Sequence, residues 1–96
     1  MTNLEITNLC AEAMGRDVKL REGRYYGVTL VCYDPLHDDA QAMVLVKKFG
    51  LTCIYELGQG RVSWNVQHWR DGIARDADLN RAICECVAKM ELARKP

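Results

Sequence analysis

The chain has no surplus charge of either sign, because thirteen basic and thirteen acidic side chains cancel. That balance excludes a global field drawing it onto nucleic acid or an anionic membrane, and leaves only local patches for such contacts. Proline is scarce, with two residues, and no low-complexity tract occurs, which excludes a disordered or fibrous chain. Long apolar runs are missing as well. The run Ala42 to Val46 is far too short to cross a bilayer, and Met1-Thr2-Asn3-Leu4-Glu5 shows no basic region leading into an apolar stretch. A cytoplasmic protein is expected.

Several catalytic and cofactor patterns are also lacking. Gly58-Gln59-Gly60 has neither the following helix nor the lysine of a nucleotide cradle, so it reads as a hairpin turn. Cys84-x-Cys86 is not Cys-x-x-Cys. On a helix, residues two apart point about 200° away from each other and cannot share one metal. A cysteine nucleophile would need a histidine beside it, and the two histidines, His37 and His68, fall in predicted surface loops. No catalytic residue, metal site or cofactor is assigned.

What is present describes one domain over residues 1–96, long enough to bury roughly 65% of its unfolded surface. Cys10, Cys32, Cys53, Cys84 and Cys86 lie in periodic apolar segments and read as reduced thiols acting as small hydrophobes. Thr2-x-x-Glu5 has capping-box spacing, and Ile6, Leu9, Cys10 and Ala13 follow at helical intervals until Gly15. Val18 to Arg21 and Tyr25 to Tyr33 predict a strand hairpin, ended by Asp34-Pro35. Asp38 then caps a second helix that Gly50 closes. Leu51 to Leu57 and Arg61 to Val66 predict a second hairpin, the polar stretch Gln67 to Arg75 the longest loop, and Ala77 to Arg94 the last helix.

The expected fold is therefore α+β, ordered α-β-β-α-β-β-α. Apolar residues on both faces of strands two and three suggest a central parallel pair joined by helix two. This gives a four-stranded sheet, order 1-2-3-4, sandwiched between helices in three α/β/α layers. The rival is an antiparallel sheet with all helices on one face.

Tyr33-Asp34-Pro35-Leu36, Asp38-Asp39-Ala40-Gln41-Ala42, Lys47-Lys48-Phe49-Gly50-Leu51 and Asp78-Leu79-Asn80-Arg81-Ala82-Ile83 resemble the phage ABA-sandwich proteins, a family of small phage and prophage proteins. The likeness covers about Gly23 to Met90, and Ser63 to Arg75 departs from it. It implies α/β/α layering and a phage or prophage origin. It implies no catalytic or binding residue.

Asp34, Asp38 and Asp39, with His37, are the densest metal-capable cluster, but a turn, a helix cap and a dipole-favoured first-turn residue account for the carboxylates. Arg16, Lys19, Arg21 and Arg24, followed by Tyr25 and Tyr26, could stack on single-stranded nucleic acid. Asp17 and Glu22 dilute that patch, and edge-strand cations more commonly prevent edge pairing. Helix two is apolar beyond the face one packing contact needs. Its outer residues Met43 and Val44 are the expected surface for a protein partner or a homodimer, and Trp69 and Arg70 in the long Gln67 to Arg75 loop are further expected partner contacts. The leading expectation is a non-enzymatic, protein-binding phage accessory protein. The alternative is a small-molecule or nucleotide-binding module using Tyr25, Tyr26 and Arg24.

Overall fold

Capping decides where the helices begin. Thr2 Oγ1 accepts from the Glu5 backbone N–H at 3.1 Å, and the Glu5 carboxylate accepts in return from Thr2 N–H at 3.4 Å, launching α1 (Asn3–Met14). Asp38 Oδ1 accepts from Gln41 N–H at 3.0 Å at the start of α2 (Asp39–Phe49), which Gly50 ends in the left-handed conformation at φ 64°. The last helix, α3 (Leu79–Arg94), begins later than the expected Ala77. Asp76 Oδ1 holds the Asp78 N–H at 2.9 Å in a turn, so the first helical bond runs from Ala82 N–H to Asp78 O. The structure, a computed structural model, describes residues 1–15, 18–21, 24–27, 33–58, 61–68 and 72–94.

Two antiparallel sheets occur among these residues. β1 (Val18–Arg21) and β2 (Arg24–Gly27) form a hairpin, while β3 (Thr52–Gly58), β4 (Arg61–His68) and β5 (Gly72–Asp76) form a meander in that order. The expected single sheet of four strands in order 1-2-3-4 is therefore not what the described residues form. No parallel pair occurs among them. The overlooked strand is β5, inside the stretch read as the longest loop; it pairs Val66 with Ala74 and Gln67 with Ile73. Gly-Ile-Ala-Arg-Asp holds a single β-branched residue, so pairing with β4 rather than intrinsic preference makes it a strand. Residues 28–32 of the expected second strand, including Cys32, lie outside the described residues, as do Gln59 and Gly60.

Alternation along the meander separates its faces. Cys53, Val66 and Ala74 stand opposite one another on the face covered by α3, with Val66 fully buried; Ile54 and Ile73 on the other face are 42% and 48% exposed. For this sheet the one-sided layering is the one observed, and helices on its second face are absent among the described residues.

The three helices run the same way. Asn80 Nδ2 donates to Asp39 Oδ1 at 2.7 Å, and the Arg81 guanidinium donates to Asn3 Oδ1, so all three N-terminal turns meet. At the other end, Ala13, Phe49 and Ala93 line one cleft. Between these ends α3 is buried on several sides, through Ala82, Ile83, Cys84, Cys86, Val87 and Ala88. Cys84 O accepts a hydrogen bond from Cys10 Sγ at 3.4 Å on the side toward α1, and Lys89 Nζ reaches Ile73 O of β5 at 3.2 Å on the sheet side.

Tyr33 is buried against this core, yet its hydroxyl has no hydrogen-bond partner among the described residues. A desolvated hydroxyl without a partner costs stability, whereas its ring contributes by burial. Urea unfolding should find Tyr33→Phe neutral or about 1 kcal/mol more stable than wild type, and Ile83→Ala about 3 kcal/mol less stable. A loss in Tyr33→Phe comparable to that of Ile83→Ala would contradict this assignment.

Candidate functional site

The acidic turn is occupied with local structure. Asp38 caps α2, Asp39 receives Asn80, and Asp34 Oδ2 pairs with His37 Nδ1 at 2.9 Å while its backbone N–H donates to Gln41 Oε1 at 2.6 Å. These bonds tie the strand end to the helix start. No group of three His, Cys, Asp or Glu side chains able to hold a metal occurs among the described residues.

The described cysteines lie in the core or against it. Cys10, Cys84 and Cys86 are fully buried, Cys53 is half-buried, and all four are free thiols. The expectation for Cys84 left open a second packing contact or a partly exposed thiol; the packing contact, against Cys10, is what forms. Hydrogen bonding with Cys84, then burial and the nearby Cys84 and Cys86 thiols, push the Cys10 thiol far up. Burial also raises Cys53 and Cys86, and His68 reaches Cys86 through its backbone. Thiols held in the neutral form are poor nucleophiles.

Two of the expected partner-binding residues fall within the described part of the chain. Met43 and Val44 lie on the outer side of α2, 44% and 47% exposed, with Lys47 and Lys48 on the same side. Trp69 and Arg70 lie outside the described residues. Tyr25, Tyr26 and Arg24 belong to the backbone of β2, opposite Leu20, Lys19 and Arg21, and their side chains are likewise outside. Of these groups, Met43 and Val44 are the ones whose side chains are described.

Two surfaces went unnoticed in the sequence. The first is the end of the β3–β4 hairpin. β5 pairs only with Trp64 to His68, so beyond Tyr55 and Trp64 the hairpin continues as two strands. Exposure along one face of β3 rises accordingly, from half-buried Cys53 to Tyr55 at 53% and Leu57 at 77%. Tyr55 stacks edge-on against Trp64 with ring centroids 5.0 Å apart, which stiffens the hairpin where it leaves the core.

The second is a cleft of about 260 Å³ at the helix ends, lined by Ala13, Phe49, Val87, Met90, Glu91 and Arg94 among others. Glu91 is buried, and Arg94 Nη2 donates to its Oε1 at 2.7 Å from an exposed position. The available signal was a glutamate in four-residue register with Ile83 and Val87, a polar group on an apolar line.

Comparison with family models, curated proteins and solved structures gives no match. The likeness to phage ABA-sandwich proteins therefore rests on the quoted residues.

The buried thiols fix a pH dependence. The folded state holds Cys10 and Cys86 neutral, whereas in the unfolded chain each ionises near its ordinary value of 9.0. Above that pH the unfolded state binds fewer protons, so stability falls as pH rises and is unaffected by these groups below it. Urea unfolding should show a loss approaching about 1.4 kcal/mol per pH unit above pH 9 from Cys10, with Cys86 acting in the same direction, and the loss should be reduced in Cys10→Ala. Equal stability at pH 7.5 and 10 would contradict it.

Proposed function

We propose that the protein is a non-catalytic phage or prophage accessory protein that acts in the host cytoplasm by binding another protein through the β3–β4 hairpin, with a second copy as its first partner. One observation carries this reading: β3 exposes apolar side chains on both faces, Ile54 on one and Tyr55 and Leu57 on the other. Among the described residues β3 also has a strand, β4, on only one side. An edge strand with apolar side chains and no lysine or proline invites pairing with another chain. Glu56 is its only charge.

Antiparallel pairing of two β3 strands obeys twofold symmetry, so one surface can serve both copies. Centred on Tyr55, it sets Cys53 against Leu57 and Ile54 against Glu56, and no like charges face each other. The chain's zero net charge adds no long-range repulsion. The outer face of α2, where a homodimer was expected, offers fewer apolar groups: Met43 and Val44 sit beside Lys47 and Lys48. No helix among the described residues is long and apolar enough to cross a membrane.

Sedimentation at roughly tens of micromolar, where a modest interface would assemble, should give twice the 10.9 kDa chain mass. Tyr55→Arg with Leu57→Arg should give a monomer that still unfolds cooperatively, less stable by about 1 kcal/mol through loss of the Tyr55–Trp64 contact and no longer stabilised by rising protein concentration. A wild-type monomer, or a dimer broken instead by Met43→Lys with Val44→Lys, would refute the hairpin as the contact.

A further inference from the structure

The geometry of the helix ends points to a second site, which does not depend on the hairpin. We propose that the cleft among Ala13, Phe49, Val87, Met90, Glu91 and Arg94 binds a small organic cation, an alkylammonium whose chain lies against the apolar wall and whose charged head meets Glu91. Three observations select that chemistry.

The first is the carboxyl group. The Glu91 side chain is 7% exposed, and a carboxylate withdrawn from water requires a cationic partner. Its own partner, Arg94, approaches from outside and remains 72% exposed. Such a solvent-exposed guanidinium is held weakly, so an incoming cation can take its place at small cost.

The second is the direction of the helices. α1, α2 and α3 all finish around this cleft, through Ala13, Phe49 and Ala93 respectively. Each helix C-terminus carries a partial negative charge of about half an electron, and here three of them share one end of the molecule. The chain already places its own cations there. Lys48 Nζ donates to Met14 O at 3.1 Å, Lys47 and Lys48 occupy the last turn of α2, and Arg94 the last turn of α3. An anionic ligand would meet the same field with the opposite sign.

The third is the wall. Phe49, Val87 and Met90 give the cleft an aromatic ring, a branched aliphatic group and a thioether, which suit an alkyl chain and tolerate a neighbouring positive charge. A bare metal ion would need several hard donors, and among the described residues no such group exists. The ligand class that satisfies carboxylate, dipoles and wall together is a monocation with a short apolar tail.

Titration of the full chain with n-hexylammonium, n-hexanoate and 1-hexanol, followed by the NMR methyl signal of Met90 and by Tm, tests the proposal. Saturable binding of the amine, at least about tenfold tighter than either analogue, is expected. Glu91→Gln should weaken amine binding about tenfold. Arg94→Gln, which leaves the buried carboxylate in place, should tighten it about threefold or more by removing the competing cation. Hexanoate or hexanol binding as well as the amine, weaker amine binding in Arg94→Gln, or no saturable shift with the amine would each overturn it.

Discussion

Burial of α3 from several directions is the constraint on which the rest of the molecule depends. A helix that serves several neighbours cannot keep one apolar stripe and one wet face. It also has to stay narrow where neighbouring backbones approach it. Ala82, Cys84, Cys86 and Ala88 meet both demands, being small and apolar, and Ile83 and Val87 supply bulk between them. This accounts for two cysteines on one helix without redox chemistry. A thiol fills slightly more space than an alanine methyl, and Cys10 Sγ spends its proton on the Cys84 carbonyl. Removing α3 would expose the inner sides of α1 and α2 and the Val66–Ala74 face of the sheet together.

The helices were legible in the sequence because their signals are local. Thr2 with Glu5, Asp38 with Gln41, and the glycines Gly15 and Gly50 mark ends by backbone chemistry that needs no distant partner. The sheet was less legible for the converse reason. β5 is five residues long with one strong strand former, and its existence depends on Val66 and Gln67 being in place to pair with it. Sandwich layering was inferred from apolar residues on both faces of the strands, but Ile54 and Leu57 prove to be exposed rather than covered. Exposure of an apolar side chain leaves no mark in an alternation pattern. The same limit hid the cleft, since α3's register places Glu91 beside Val87 but says nothing about which helix ends gather around it.

Functionally suggestive features lie where the core stops. The hairpin projects beyond β5, so Tyr55 and Leu57 continue the core-facing side of the sheet into solvent, and the principal extents of 45 × 28 × 24 Å reflect an elongated body. At the helix ends, codirectional packing gathers three dipoles instead of cancelling them pairwise, and α2 answers its own with Asp39 in the first turn and Lys47 and Lys48 in the last. Glu5, Asp38 and Asp39 stand near the helix starts; Lys47, Lys48 and Arg94 stand near the finishes.

Native-state hydrogen exchange tests the place of α3 most directly. If α3 is the shared support, the amides of residues 83–88 should exchange only through global unfolding, with the same free energy as the most protected amides of α1, α2 and β4. Exchange of residues 83–88 at a lower free energy, with β4 and β5 still protected, would show that the sheet stands without the helix and would contradict the account.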